Sequence, residues 1–206
     1  MVITVSENQN KLMELVAREV EKNHGVVFLA TLKEEGYPNQ ASLNYLKKEG
    51  FEKISGGIYL SPLYYEDEMY IYQKRFAKGV YSHETALYLH RLSDTTPFIY
   101  TMTFPLGYHS KKIKEQPVSL VWKERSVWQE DQMTVKSSNG NDIVIYSMER
   151  TLCDMFSTRY EADKDTLLQA IIKYMRRPDK NIPKLLNLAE KYNVLDKIKT
   201  YVEVLL

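Results

Sequence analysis

Leu12, Leu15, Val16 and Val20 recur at the spacing of one helical face, so the chain opens with an amphipathic helix. Ser6 and Gln9 match a capping box at its start, and Gly25 supplies a left-handed stop. The run Val26 to Glu35 begins with Val-Val-Phe-Leu, which suits a strand. Ala30, Thr31, Leu32 and the acidic pair before Gly36 read better as a short second helix. Pro38 fits the first turn of a third helix that ends at Gly50, with Leu43 and Leu46 marking its buried face. Phe51 to Leu60 then places two strand-like pieces around Gly56-Gly57, the pattern of a tight hairpin. Three short helices with a glycine-containing turn before the third, followed by a hairpin, predict a winged helix-turn-helix.

Residues 61–76 are rich in Tyr and acids and read as a connector. Ser82 can cap a helix running to about Leu92, with Ala86, Leu87 and His90 along one side. Extended segments follow at Phe98 to Phe104, Pro117 to Trp122, Trp128 to Val135 and Ile143 to Tyr146, their β-branched and aromatic content pointing to a mixed sheet. From Ser147 the period turns helical, with helices expected near 147–158, 164–176, 181–192 and 195–205. The expected class is therefore α+β: a winged-helix domain with its connector over residues 1–76, and a mixed-sheet domain with a helical C-terminal half over 77–206.

Charge narrows the mode of action. The 28 Lys and Arg nearly balance 27 Asp and Glu, which excludes a protein that holds nucleic acid by bulk charge. Residues 1–76 carry nine bases against eleven acids (−2), leaving nineteen against sixteen (+3) for 77–206. Any nucleic-acid contact must rest on charge sorted by face. Opposite Leu43 and Leu46 lie Gln40, Ala41, Asn44 and Lys48, flanked by Lys47, with no carboxylate before Glu49. Gln and Asn can pair with an adenine edge, an Ala methyl can pack on thymine, and Lys can reach guanine or phosphate. Lys53 in the hairpin is placed for a neighbouring phosphate, and Lys111, Lys112 and Lys114 form the densest basic cluster of the second domain. The competing reading of the third-helix face is a solvated polar surface on a small helical bundle.

Chemistry of other kinds finds little support. The single Cys, Cys153, excludes an internal disulfide, and with four scattered His it makes no metal cluster, so no cofactor or metal is expected. The first residues lack a signal-peptide pattern and no run reaches membrane-spanning length, which predicts a cytoplasmic protein. His83-Glu84 lacks the second His of a zinc protease helix. Asp163 and Asp165 open a helix, where acids serve as caps, and Ser138 to Asp142 is turn chemistry. Cys153 shares an apolar face with Leu152 and Phe156, and Arg150 with Asp154 has helical ion-pair spacing. Glu149 is the best lone carboxylate but has no evident partner. No catalytic residue is predicted.

Four stretches carry a family resemblance: Leu43-Asn-Tyr-Leu-Lys-Lys-Glu-Gly50 with Gly56-Gly-Ile-Tyr59, Tyr81-Ser-His-Glu-Thr-Ala-Leu-Tyr-Leu-His90, Thr101-Met-Thr-Phe-Pro105, and Ser147-Met-Glu-Arg-Thr-Leu-Cys-Asp154. In this order, over most of the chain from about residue 8, they resemble the AbiEi antitoxins of AbiE abortive-infection systems. The resemblance implies a winged helix that represses its own operon at inverted repeats in double-stranded DNA. It also implies a C-terminal domain that counteracts a co-encoded nucleotidyltransferase-like toxin, in a type IV system that needs no stable complex between the two. Two other readings stay open: a nucleic-acid-processing enzyme using Asp142 and Glu149 with the winged helix as targeting module, and a protein-interaction module that never meets DNA.

Overall fold

A computed structural model of the chain describes residues 2–110, 113, 116–160 and 162–205. Its architecture is α+β with two sheets, and it divides into two units: Met1–Lys74 with Lys136–Ile143, and Arg75–Val135 with Val144–Leu206. No helix among the described residues is long and apolar enough to cross a membrane.

In the first unit, α1 (Val2–Lys22) turns its Leu12, Leu15 and Val16 into the core, where they meet Val27, Leu32 and Leu46. Each such side chain, fully buried, contributes about 1.5–3 kcal/mol. The helix already includes Ser6, so Ser6 is not its cap; once a helix is nucleated, extending it by a turn costs little. The stop lies where the sequence placed it. His24 and Gly25 take positive φ of 45° and 98°, and the Gly25 N–H returns to the Val20 carbonyl.

The segment expected as a second helix splits. Val26–Phe28 form β1, and only Leu29–Glu34 form α2. The strand wins because a partner exists: Val26, Val27 and Phe28 lie antiparallel to Leu60, Tyr59 and Ile58. After α3 (Asn39–Lys48) the hairpin strands β2 (Glu52–Ser55) and β3 (Ile58–Leu60) turn at Gly56-Gly57, giving a sheet of order β1-β3-β2. The expected connector contains α4 (Glu68–Arg75), with Met69 to Gln73 all buried. A helix buried all round shows no amphipathic period, which is why the pattern missed it. Its N-terminus is held by Asp67, a buried carboxylate that accepts from the Tyr70 N–H (3.2 Å), Ser137 Oγ (2.5 Å) and Asn141 Nδ2 (2.8 Å).

The second unit is built on a mixed sheet whose strands are β4 (Val80–Tyr81), β5 (Tyr100–Pro105), β6 (Val118–Lys123), β7 (Gln132–Lys136) and β8 (Asp142–Tyr146), in the order β6-β5-β4-β8-β7, with Lys136 of β7 and Asp142 and Ile143 of β8 counted in the first unit. β5 runs parallel to β6, from Tyr100↔Val118 to Pro105↔Lys123, and antiparallel to β4; β4 runs parallel to β8. α5 (His83–Leu89) follows β4 and α6 (Arg125–Gln129) follows β6. Trp128 therefore belongs to a helical turn, not to the strand expected from Trp128 to Val135: its N–H returns to Glu124 O, and its indole donates to Lys78 O at 3.0 Å. Asp131, at φ 55°, makes the bend before β7.

Four helices complete the chain: α7 (Met148–Met155), α8 (Lys164–Met175), α9 (Ile182–Lys191) and α10 (Leu195–Leu205). Ser147, Asp163 and Asn181 cap the first three by accepting the N–H of Arg150, Thr166 and Lys184. Their apolar faces close one core through Leu152, Phe156, Ile171, Leu185 and Ile198. Ser82 sits at the N-cap position of α5 without capping it, because its hydroxyl is occupied by Thr103 Oγ1 (2.8 Å) and His83 Nδ1 (3.0 Å).

Candidate nucleic-acid interface

α3 starts after Pro38, whose fixed φ of −60° and extended ψ set the chain up for a first turn. Ser42 and Leu46, one turn apart, are its buried residues, while Leu43 is only half-buried. The buried line is thus rotated by one residue from the Leu43–Leu46 expectation. Asn44 then lies nearly opposite the core, at the centre of the exposed face. Gln40, Ala41, Lys47 and Lys48 surround it, and all five are exposed. Gln40 Nε2 donates to Asn44 Oδ1 at 2.9 Å, which fixes two amide side chains side by side at helical (i, i+4) spacing.

The face has two halves. Ala41, Asn44, Tyr45 and Lys48 form one wall of a cleft of about 460 Å³ whose other wall is Gln9, Asn10 and Met13 of α1. Gln40 and Lys47 lie on the opposite side of Asn44. Glu49 sits beyond the helix end, and with burial as the larger cause it raises the Tyr45 pKa. Lys53 stands exposed on β2. Ion pairs of this unit include Lys11–Glu7, Arg18–Glu35 and Lys136–Asp142. Among the described residues Lys47, Lys48 and Lys53 join none, so their charges remain available to an anion. Lys111, Lys112 and Lys114 lie outside the described residues.

In the second unit the polar residues of the three later sequence stretches are brought together and buried. Ser82, His83, Thr85, Thr101, Thr103, Glu149, Arg150 and Asp154 are each no more than 5% exposed. Thr85 Oγ1 accepts the Thr101 N–H at 2.8 Å, tying α5 to β5. His83, at φ 52°, stacks on Tyr160 with ring centroids 4.0 Å apart, and the Tyr160 hydroxyl donates to Glu84. Burial lowers the pKa of His83 and of His90, whose Nε2 lies 2.7 Å from Tyr146 O.

Arg150 and Asp154 do make the expected helical pair, at 2.9 Å, but wholly inside the protein. The guanidinium lies between the rings of Tyr146 and Tyr192, 4.5 and 4.4 Å from their centroids, and Nη1 donates to Val127 O and Tyr192 Oη. Lys123 Nζ reaches the other Asp154 oxygen at 3.3 Å. Burial acts to lower the Arg150 pKa, but Asp154 and the tyrosine hydroxyls outweigh it, and the net direction is up. Glu149, without a partner in the sequence, has two: Tyr174 Oη at 2.8 Å and Lys184 Nζ at 3.4 Å. Sequence reasoning missed this burial because Glu149, Arg150, Thr151 and Asp154 read as the wet face of an amphipathic helix, whereas every residue from Glu149 to Met155 is inside. Cys153 is buried and its thiol is pushed up to about 12, chiefly by desolvation, which makes it a poor nucleophile. Among the described residues no three His, Cys, Asp or Glu side chains gather as metal ligands.

No family model and no curated protein matches the chain. The chain is similar in fold to a solved structure, the crystal structure of the RV2827C protein from Mycobacterium tuberculosis, with a TM-score of 0.59, 11% sequence identity, and coverage of 95% of this chain and 80% of that one.

Proposed function

We propose that the first unit is a winged helix-turn-helix that binds operator DNA through α3, and that the chain is an autoregulatory repressor and antitoxin of the AbiEi kind. The observation that carries the reading is the exposed face of α3. It presents Gln40, Ala41, Asn44, Lys47 and Lys48 to solvent with their cations unpaired among the described residues, directly ahead of a hairpin that carries Lys53. The order α1-β1-α2-α3-β2-β3, with the antiparallel sheet β1-β3-β2, supports the winged-helix assignment. The amide pair Gln40–Asn44 is suited to base edges and the lysines to phosphate. The second unit, which buries the polar residues of the resemblance stretches, is assigned the antitoxin role against a nucleotidyltransferase-like toxin. The reading involves no catalysis: Glu149 is committed to Tyr174 and Lys184, and Asp142 to Lys136.

Gel-shift of a fragment carrying the inverted repeats upstream of the protein's own gene tests this. The full chain should retain the fragment, Asn44→Ala should cost about 1–3 kcal/mol and relax base preference, and Asn44→Ala with Lys48→Ala should abolish retention. Retention unchanged in the double variant removes the assignment. Co-expression with the neighbouring gene tests the second half: growth arrest by that gene alone, relieved by this chain, is the expected outcome.

A further inference from the structure

Two cavities of the second unit meet at one exposed indole. Leu106 and Trp122 line both of them. On one side is a cavity of about 360 Å³ with an apolar, aromatic wall, where Phe104 and Tyr108 stack nearly parallel, 4.8 Å apart at 10°. On the other is a cavity of about 530 Å³ with a polar wall that includes Lys123, Asp154, Ser157, Thr158 and Arg159. Each volume lies within the ~300–1,000 Å³ range of small-molecule sites. Trp122 is 43% exposed and lines both cavities, so its ring stands at their border.

The charges of the polar wall are unevenly committed. Asp154 is held between Arg150 and Lys123, and Lys191 is held by Glu130. Arg159 is exposed and makes no ion pair among the described residues. Glu124 is an exposed carboxylate of this wall, and the positive surplus comes from Asp154 being shared by two cations, Arg150 and Lys123. A ligand that satisfies both sides needs a planar apolar ring at one end and an anion at the other.

We propose that this bipartite groove binds a nucleoside phosphate, independently of any DNA bound by α3. The base stacks on Trp122 toward the aromatic cavity. The phosphate takes a forked hydrogen bond from the Arg159 guanidinium and single bonds from the Ser157 and Thr158 hydroxyls. Asp154, neutralised from behind by Arg150, keeps Lys123 pointed at the same cavity without repelling the anion.

The chain has two tryptophans, so Trp128→Phe leaves Trp122 as the sole indole reporter. Titration of that variant with ATP, GTP, CTP and UTP should give saturable quenching by at least one of them. The matching nucleoside alone and tripolyphosphate alone should each bind at least about tenfold more weakly, because each fills half of the groove. Arg159→Ala, at an exposed position, should weaken nucleotide binding about tenfold or more and leave nucleoside binding unchanged. Trp122→Leu, followed by equilibrium dialysis, should lose both. Absence of saturable quenching at millimolar nucleotide overturns the proposal, as does Arg159→Ala binding as tightly as its parent. A single-stranded oligonucleotide that binds more tightly than the free nucleotide overturns the assignment to a free ligand.

Discussion

Asp154→Ala isolates the charge network at the centre of the second unit. The carboxylate has two cations, Arg150 Nε at 2.9 Å and Lys123 Nζ at 3.3 Å, and its side chain is 3% exposed against 0% and 24% for theirs. Lys123 can turn to water when its partner is removed. Arg150 cannot, and it is left as a buried cation between two tyrosine rings with one terminal nitrogen, Nη2, already unbonded. Breaking a buried pair from one side costs about 3–5 kcal/mol. The Val127 carbonyl, the Tyr192 hydroxyl and the two ring faces still stabilise the guanidinium, so the lower end, about 3 kcal/mol, is expected. Lys123→Ala should cost about 1 kcal/mol or less, since Arg150 remains on Asp154. Urea unfolding followed by tryptophan fluorescence reads this unit alone, because Trp122 and Trp128 both belong to it. Arg150→Met combined with Asp154→Leu should recover most of the loss, as replacing both partners by apolar groups removes the stranded charge. A loss below about 1 kcal/mol in Asp154→Ala, or one equal to that of Lys123→Ala, refutes the picture of an inaccessible pair.

Other consequences follow from burial. His83 and His90 have pKa values held below the ordinary 6.5, chiefly by desolvation. As pH falls below 6.5 the unfolded chain therefore takes up protons before the folded one, so stability is complete above that pH and declines beneath it. Urea midpoints between pH 7 and about 5.5 should fall, and His83→Gln should make the decline shallower. Asp67→Ala leaves the donors of Ser137, Asn141 and the Tyr70 backbone without their acceptor, at about 1–3 kcal/mol for such unsatisfied groups, and amide exchange of the first unit should speed accordingly. Gly25→Ala forces a side chain into φ 98° and overlaps its Cβ with Cβ and Cγ of Tyr64; it should destabilise the same unit by more than about 1 kcal/mol, read by the same exchange.

Periodic elements were the legible ones. Leu12, Leu15 and Val16 announced α1 because one face of it is wet, and Asp163 announced the start of α8 through cap chemistry; that Ser147 and Asn181 also serve as caps is visible only in the structure. Elements failed to show where burial or length removed the period. α4 is buried all round, β4 has two residues, and β1 is a strand only because β3 lies beside it, information held some thirty positions away. The α3 face could be read from its lack of carboxylates, yet its rotation by one residue depends on which side meets Val27 and Leu32. The buried Arg150, Asp154 and Glu149 were the hardest: as sequence they are a polar helix, and only the packing of α5 and α9 around α7 makes them interior.

In the proposed function, α3 and the β2–β3 hairpin are the elements that meet DNA. The most direct test is the salt dependence of binding to the upstream inverted repeats, followed by fluorescence anisotropy of labelled duplex. Binding should weaken linearly on a log–log scale against salt. Lys47→Ala, Lys48→Ala and Lys53→Ala together should reduce the slope by about 3, one per phosphate contact removed. An unchanged slope in the triple variant contradicts the account, because the DNA would then be held somewhere else.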